Sequence, residues 1–187
     1  MLISNDINFI SDRPTVVALG TFDGVHLGHR AVIGKAVELA RAAGIASAVF
    51  TFSELPRNAF LPPEKRVFPL CTFEEKAELI SALGVDILTA PRFDRAVASI
   101  PAADFIREVL IGRLDARVIV CGEDHRFGAH GAGDTELLKR VCREAGIGVA
   151  IVPPVMRSGR RISSTDIRAL LDAGRIEDAR ALLGHEV

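Results

Sequence analysis

Tryptophan and tyrosine are absent from these 187 residues, so ten phenylalanines supply every aromatic carbocycle the chain could stack on a ligand. Cysteine is scarce as well. Cys71, Cys121 and Cys142 have neither the density of a disulfide framework nor a CxxC spacing, and they read as small core hydrophobes of a reducing cytosol. Charge of one sign is lacking too: a formal net charge of -1 gives no electrostatic case for nucleic acid or another polyanion. No apolar run approaches transmembrane length, and Met1-Leu2-Ile3-Ser4-Asn5-Asp6 carries an acid where a signal peptide needs a basic flank. Internal repeats and low-complexity tracts are missing. The expectation is one cytoplasmic domain, residues 1–187, with no membrane partner, its core filled by a 49% hydrophobic composition. Oligomeric state is not legible in the sequence.

Short β-rich apolar runs alternate with longer helical patterns. Thr15–Leu19, Ala46–Phe52, Asp86–Ala90, Arg117–Cys121 and Val149–Val152 are nearly continuous apolar runs, as strands buried on both faces should be. A helix from about Gly28 to Ala43 is closed by Gly44. Thr72-Phe73-Glu74-Glu75 is a capping box opening a helix closed by Gly84, and Asp134 caps one closed by Gly146. Strands separated by helices need right-handed crossovers, which predicts an α/β fold with a doubly wound parallel sheet and ligands at the strands' carboxyl ends.

At one such end, Thr15–Leu19 runs through Gly20 into Thr21-Phe22-Asp23-Gly24-Val25-His26-Leu27-Gly28-His29. A strand-to-helix turn offers free N–H groups and the positive end of a helix dipole to an anion. His26 and His29, three residues apart, share one face of the first turn, so both can donate to one oxyanion. Gly28 removes a side chain where a ligand would press closest. A zinc half-site completed from Cys121, Asp124, His125 and His130 is the competing reading, but that second cluster lacks tight zinc spacing and leaves Gly28 unexplained. Gly34-Lys35-Ala36 is no Walker A loop, and Gly20, Gly24 and Gly28 are not a GxGxxG fingerprint.

Three further segments carry polar constellations. Ser53–Pro69, with four prolines, is a long loop without periodicity, either a flap over the ligand or an ordinary surface loop. In Arg160-Arg161-Ile162-Ser163-Ser164-Thr165-Asp166-Ile167-Arg168, Ser164 or Thr165 is expected to cap a helix. Arg161 and Arg168 could join the helix N–H groups in a second anion cradle, or Arg168 could point to water. Gly122-Glu123-Asp124-His125-Arg126-Phe127-Gly128, running into Gly131-Ala132-Gly133, places Asp124 to accept from a nucleoside, or forms a plain surface turn.

Taken together, these segments resemble the FMN adenylyltransferase (FAD synthetase) domain of the bacterial bifunctional flavin-cofactor enzymes, within the HxGH nucleotidyltransferases. Gly20–His29 looks like the flavin branch of that group. Ile162–Arg168 is similar to the family's ISSTxIR and Gly122–Gly128 to its GxDFxFG, while Phe93-Asp94 and Asp104-Phe105-Ile106 also match in kind and spacing. Two departures stand out. His125 occupies a position where the family usually has Phe, and Leu55-Pro56-Arg57 one usually filled by Pro-His-Pro. The riboflavin kinase barrel that follows this domain in most bacteria has no counterpart here, so the chain is either an excised piece or a single-activity enzyme expected to use FMN and not riboflavin.

The resemblance implies a Rossmann-like nucleotidyltransferase fold and the reaction of ATP with FMN to give FAD and pyrophosphate. It implies His26, His29 and Arg168 as catalytic residues, and Gly20, Phe22, Asp23, Gly28, Gly122, Asp124, Arg161, Ser164 and Thr165 as ATP-binding residues. Mg²⁺ would come with ATP, without an identifiable protein ligand. Flavin stacking falls to a phenylalanine; Phe60 in the flap, with Arg66, is the expectation. The alternatives are a related nucleotidyltransferase with another phosphorylated acceptor, and an inactive nucleotide- or flavin-binding regulator.

Overall fold

The computed structural model describes residues 1–186. Six parallel strands form the sheet: β1 (Leu2–Ser4), β2 (Thr15–Leu19), β3 (Ala46–Phe50), β4 (Ile87–Thr89), β5 (Ala116–Gly122) and β6 (Gly148–Val152), in the spatial order β1-β4-β3-β2-β5-β6. Alternation along β2 distributes its side chains between two cores. Val16 and Ala18 face α1 (Leu27–Ala43) and α2 (Phe73–Ala82), packing with Ile33, Val37 and Ile80. Val17 and Leu19 face the opposite layer, where Phe105, Ile106 and Leu110 meet Leu138 and Val141 of α5 (Thr135–Glu144). With both faces covered, every residue of β2 and β3 is buried, which is why these strands read as unbroken apolar runs.

The capping expectations hold for α1, α2 and α5. Gly44 is left-handed at φ 65°, Thr72 and Glu75 form a reciprocal capping box, and Asp134 accepts from Leu137 N at 2.9 Å. For α6 (Ser164–Asp172) the cap is Ser163, one residue before the expected pair. Its backbone is extended, and its hydroxyl accepts from Asp166 N at 3.1 Å, so Ser164 is already helical.

Several elements lack a sequence signal. Edge strand β1 is three residues long, and β7 (Met156–Arg157) with β8 (Arg160–Arg161) forms a two-rung hairpin. The crossover from β4 to β5 contains α3 (Arg95–Ala98), capped by Asp94, and α4 (Ala102–Asp104), which continues as a π-helix over Phe105–Arg113. After α6 the chain ends in α7 (Ile176–Leu183), which packs Ala179 and Leu183 against Ile162 and Ile167. Ser53–Pro69 is more ordered than its composition suggests. Two one-turn 3-10 helices, Pro56–Asn58 and Pro63–Lys65, are joined by the Asn58 side chain, which donates to Val67 O at 2.7 Å and accepts from Val67 N at 2.9 Å.

The chain proceeds from β2 outward through β3 to β4, then returns to place β5 on the other side of β2. The carboxyl ends of β2 and β5 therefore flank the topological switch point, where a doubly wound sheet opens a crevice.

Candidate active site

The turn leaving β2 is strained and tightly held. Phe22 (φ 48°), Gly24 (φ 73°) and Val25 (φ 38°) are all left-handed, an uncommon state for any side chain and most of all for a β-branched one. Such conformations cost about 1–3 kcal/mol each and persist only where the surroundings over-determine them. Five segments do so here. Thr21 O accepts from Thr51 Oγ1 at 2.8 Å and Lys76 Nζ at 3.3 Å, and Asp23 O accepts from Ser164 Oγ at 3.2 Å. His185 Nε2 lies 2.8 Å from Gly24 O, and the buried Asp23 carboxylate accepts from Leu70 N at 2.9 Å and from Arg168. A Cβ on Gly24 would come within 2.8 Å of Leu70 Cβ. Gly24→Ala therefore combines a disfavoured φ with overpacking, and a loss of about 2–3 kcal/mol is expected in urea unfolding; an unchanged midpoint would show that the turn yields easily.

This scaffold presents the two histidines at the start of α1. His26 is the N-cap: its Nδ1 accepts from His29 N at 3.3 Å, which places the ring proton on Nε2 and makes that atom a donor. The His26 and His29 rings stack with centroids 3.5 Å apart, and the edge of Phe22 closes the far side of His29 at 5.4 Å. Burial is the main cause that lowers His26 to about 4, with a smaller push from Arg161. His29 is held well below its ordinary value by burial, then by His26, Lys76 and Arg161. Both imidazoles are thus neutral donors at neutral pH rather than cations. Gly28 lies against them, and a Cβ there would sit 3.1 Å from His26 Cε1.

Protonation of these rings opposes folding. A histidine with a depressed folded pKa binds fewer protons than the unfolded chain, so stability is full above about pH 6.5 and falls as pH drops toward the folded value. His26 alone accounts for about 3 kcal/mol at full extent. The urea midpoint should fall between pH 7 and pH 4.5, and a flat profile would contradict neutral buried imidazoles.

The crevice holds two adjoining cavities. The first, about 320 Å³ and the more polar of the two, lies between the histidine turn, the loop after β5 with Asp124, and the start of α6 with Ser163 and Ser164. Arg161 Nη2 donates to Asp124 Oδ2 at 2.6 Å across this space. The second, about 220 Å³, is largely apolar, with Phe52, Pro56, Phe93, Phe105 and Phe127 in its walls. The two share Leu19, Gly20, Thr21, His125 and Arg126.

His26, His29, Gly20, Phe22, Gly28, Gly122, Asp124, Arg161 and Ser164 all line the first cavity. Five others lie elsewhere. Thr165 is exposed on α6, and Arg168 is turned to Asp23, to Phe68 O at 2.9 Å and to Ser164 O at 3.2 Å. Asp23 and Arg66 line a separate cavity beside the Ser53–Pro69 loop, Arg66 with its Nε on Leu61 O at 2.9 Å. Phe60 is half exposed and stands behind Phe93, ring centroids 6.1 Å apart, instead of forming a wall.

Two groups of residues escape sequence reasoning. The phenylalanines of the second cavity come from β3's exit, the β4–β5 crossover and the loop after β5, so only topology gathers them. Lys76 is 4% exposed, and its ammonium ties Thr21 O to Phe52 O, 3.1 Å away, across the ends of β2 and β3. Its signal was present: Lys76, Ala77 and Ile80 share the buried face of α2, an unusual place for a lysine.

Residues 9–166 match the FAD synthetase family. The chain belongs to that family. A bifunctional riboflavin kinase/FMN adenylyltransferase from Listeria monocytogenes is 37% identical over 176 residues, covering 94% of this chain and 55% of that protein. One from Escherichia coli K12 is 34% identical over 188 residues, covering 99% and 60%. The chain thus spans little more than half the length of these FAD synthetase relatives. Among solved structures, one described as a macrolide-efflux protein from Streptococcus pneumoniae superposes with a TM-score of 0.86 at 31% identity, covering 98% of this chain and 61% of that one. A pantoate-beta-alanine ligase from Francisella tularensis, TM-score 0.60 at 16% identity over 95% of this chain and 78% of that one, shares the fold. No helix among the described residues is long and apolar enough to cross a membrane.

Proposed function

We propose that this FAD synthetase family member transfers AMP from ATP to FMN, releasing pyrophosphate and leaving FAD. The observation that carries the reading is the pairing of cavities at one switch point: a polar one at a helix start bearing His26 and His29, and an apolar, phenylalanine-walled one opening onto the same Leu19–Thr21 wall. The first suits a triphosphate, whose oxygens would meet the α1 and α6 N–H groups, while the second suits a flat tricyclic ring. A molecule in each would bring its phosphate to the shared wall.

An FMN phosphate oxygen forms the new bond to the α-phosphorus of ATP. The bond from that phosphorus to the α–β bridging oxygen breaks, and pyrophosphate leaves with the electron pair. Because the nucleophile is already an anion, no protein group needs to deprotonate it, and positioning and charge stabilisation carry the rate. His26, a neutral Nε2–H donor already aimed by its cap, needs no reorganisation to meet developing charge on the transferred group. His29 stacks beside it as the second donor.

Among the described residues no three His, Cys, Asp or Glu side chains gather where they could hold a metal ion. Mg²⁺ would arrive on ATP, held by phosphate oxygens and water and neutralising part of their charge.

The test is pyrophosphate release with Mg²⁺-ATP and a panel of acceptors: FMN, phosphopantetheine and a phosphopolyol. Release with FMN alone is expected. Release with another acceptor and not FMN would assign the second cavity to a different molecule, and release with none would leave a binding protein.

A further inference from the structure

His125 is the one titratable side chain that lines both cavities besides Arg126. The imidazole lies nearly parallel to Phe127, 15° between planes and 5.9 Å between centroids, so it extends the aromatic wall of the apolar cavity. Its Nε2 is buried and has no hydrogen-bond partner among the described residues. Leaving a buried polar atom unmatched costs about 1–3 kcal/mol, and a phenylalanine would fill the same space without that cost. An imidazole kept there at a cost to stability points to a contact made only when the cavity is filled.

Resting on the proposed FMN adenylyltransferase reading, we infer that His125 is a specificity-determining residue of this chain, giving one hydrogen bond to the flavin moiety of FMN where the two cavities meet. Burial lowers the ring to about 4, partly opposed by Asp124, so it offers a neutral donor or acceptor across the neutral range. Flavin is favoured over adenine because the ring belongs to the stacked wall with Phe127, and Phe127 lines the apolar cavity and not the polar one. The flavin nucleus carries ring nitrogens and carbonyl oxygens along one edge, whereas the phenylalanine walls offer it no polar partner.

The test compares wild type with His125→Phe and His125→Gln. Flavin binding is read by fluorescence quenching without ATP, using FMN and riboflavin as separate probes, and KM for ATP is read in the full reaction. One lost hydrogen bond weakens both flavins about 5–10-fold in His125→Phe. KM for ATP should stay within about twofold, and the thermal midpoint should be equal or higher because the unmatched nitrogen is gone. His125→Gln, which keeps an amide donor and acceptor, should remain near wild type. Unchanged flavin affinity in His125→Phe, a loss confined to FMN, a loss shared equally by ATP, or a Gln variant as weak as the Phe variant would each overturn the inference. Failure of wild type to bind FMN would instead sink the functional reading on which it rests.

Discussion

His29→Ala should lower FAD formation about 10²–10³-fold, the usual cost of removing one oriented donor from developing charge. The structure explains why catalysis and folding separate at this position. The bond that caps α1 runs from the backbone N–H of residue 29 to His26 Nδ1, and alanine keeps that N–H. What disappears is the imidazole between Phe22 and His26, a ring at the cavity wall whose buried Nδ1 has no partner among the described residues. His26 would keep its tautomer and helix its start, so circular dichroism should match wild type while kcat falls. A folded His29→Ala protein that makes FAD at the wild-type rate would remove His29 from the chemistry.

The second large effect is on stability. Arg168→Ala should cost about 3 kcal/mol and lower the thermal midpoint by about 10 °C, because it strands a carboxylate in the interior. The side chain of Asp23 is 4% exposed and that of Arg168 16%, and the two are paired. Without the guanidinium, Asp23 retains only Leu70 N, while Phe68 O and Ser164 O each lose a donor. Arg168→Lys should recover only part of the loss, since one ammonium cannot reach acceptors spread around a planar fork. Differential scanning calorimetry of both variants decides the point; an unaltered midpoint in Arg168→Ala would return this residue to the triphosphate role that its motif suggests.

That contrast shows what the sequence could and could not convey. Local signals were reliable where physics is local: continuous apolar runs gave β2 and β3, and Thr72 with Glu75 and Asp134 marked helix starts that the structure realises. The histidine turn is legible because the strand, Gly28 and the histidine spacing all lie within the fifteen residues Thr15–His29. Arg168 was harder. Its motif says that it sits one turn into a helix near the site, but only tertiary packing decides that its fork turns to Asp23, 145 residues away. Likewise Phe60 is the aromatic that the long loop offers, whereas the apolar cavity draws Phe52, Phe93, Phe105 and Phe127 from separate connections whose meeting depends on sheet order. Short elements such as β1 and the β7–β8 hairpin carry too few residues for any periodicity to register.

The central claim is the transfer of the α-phosphoryl group, with its adenosine, onto the FMN phosphate. ATP labelled at the α-phosphate, incubated with Mg²⁺, FMN and the purified chain, tests it most directly, with flavins, AMP and pyrophosphate then separated by chromatography. The account predicts label in FAD, unlabelled pyrophosphate in equal amount, and no labelled AMP before FMN is exhausted. Label appearing only in AMP or ADP, with FMN unchanged, would contradict it.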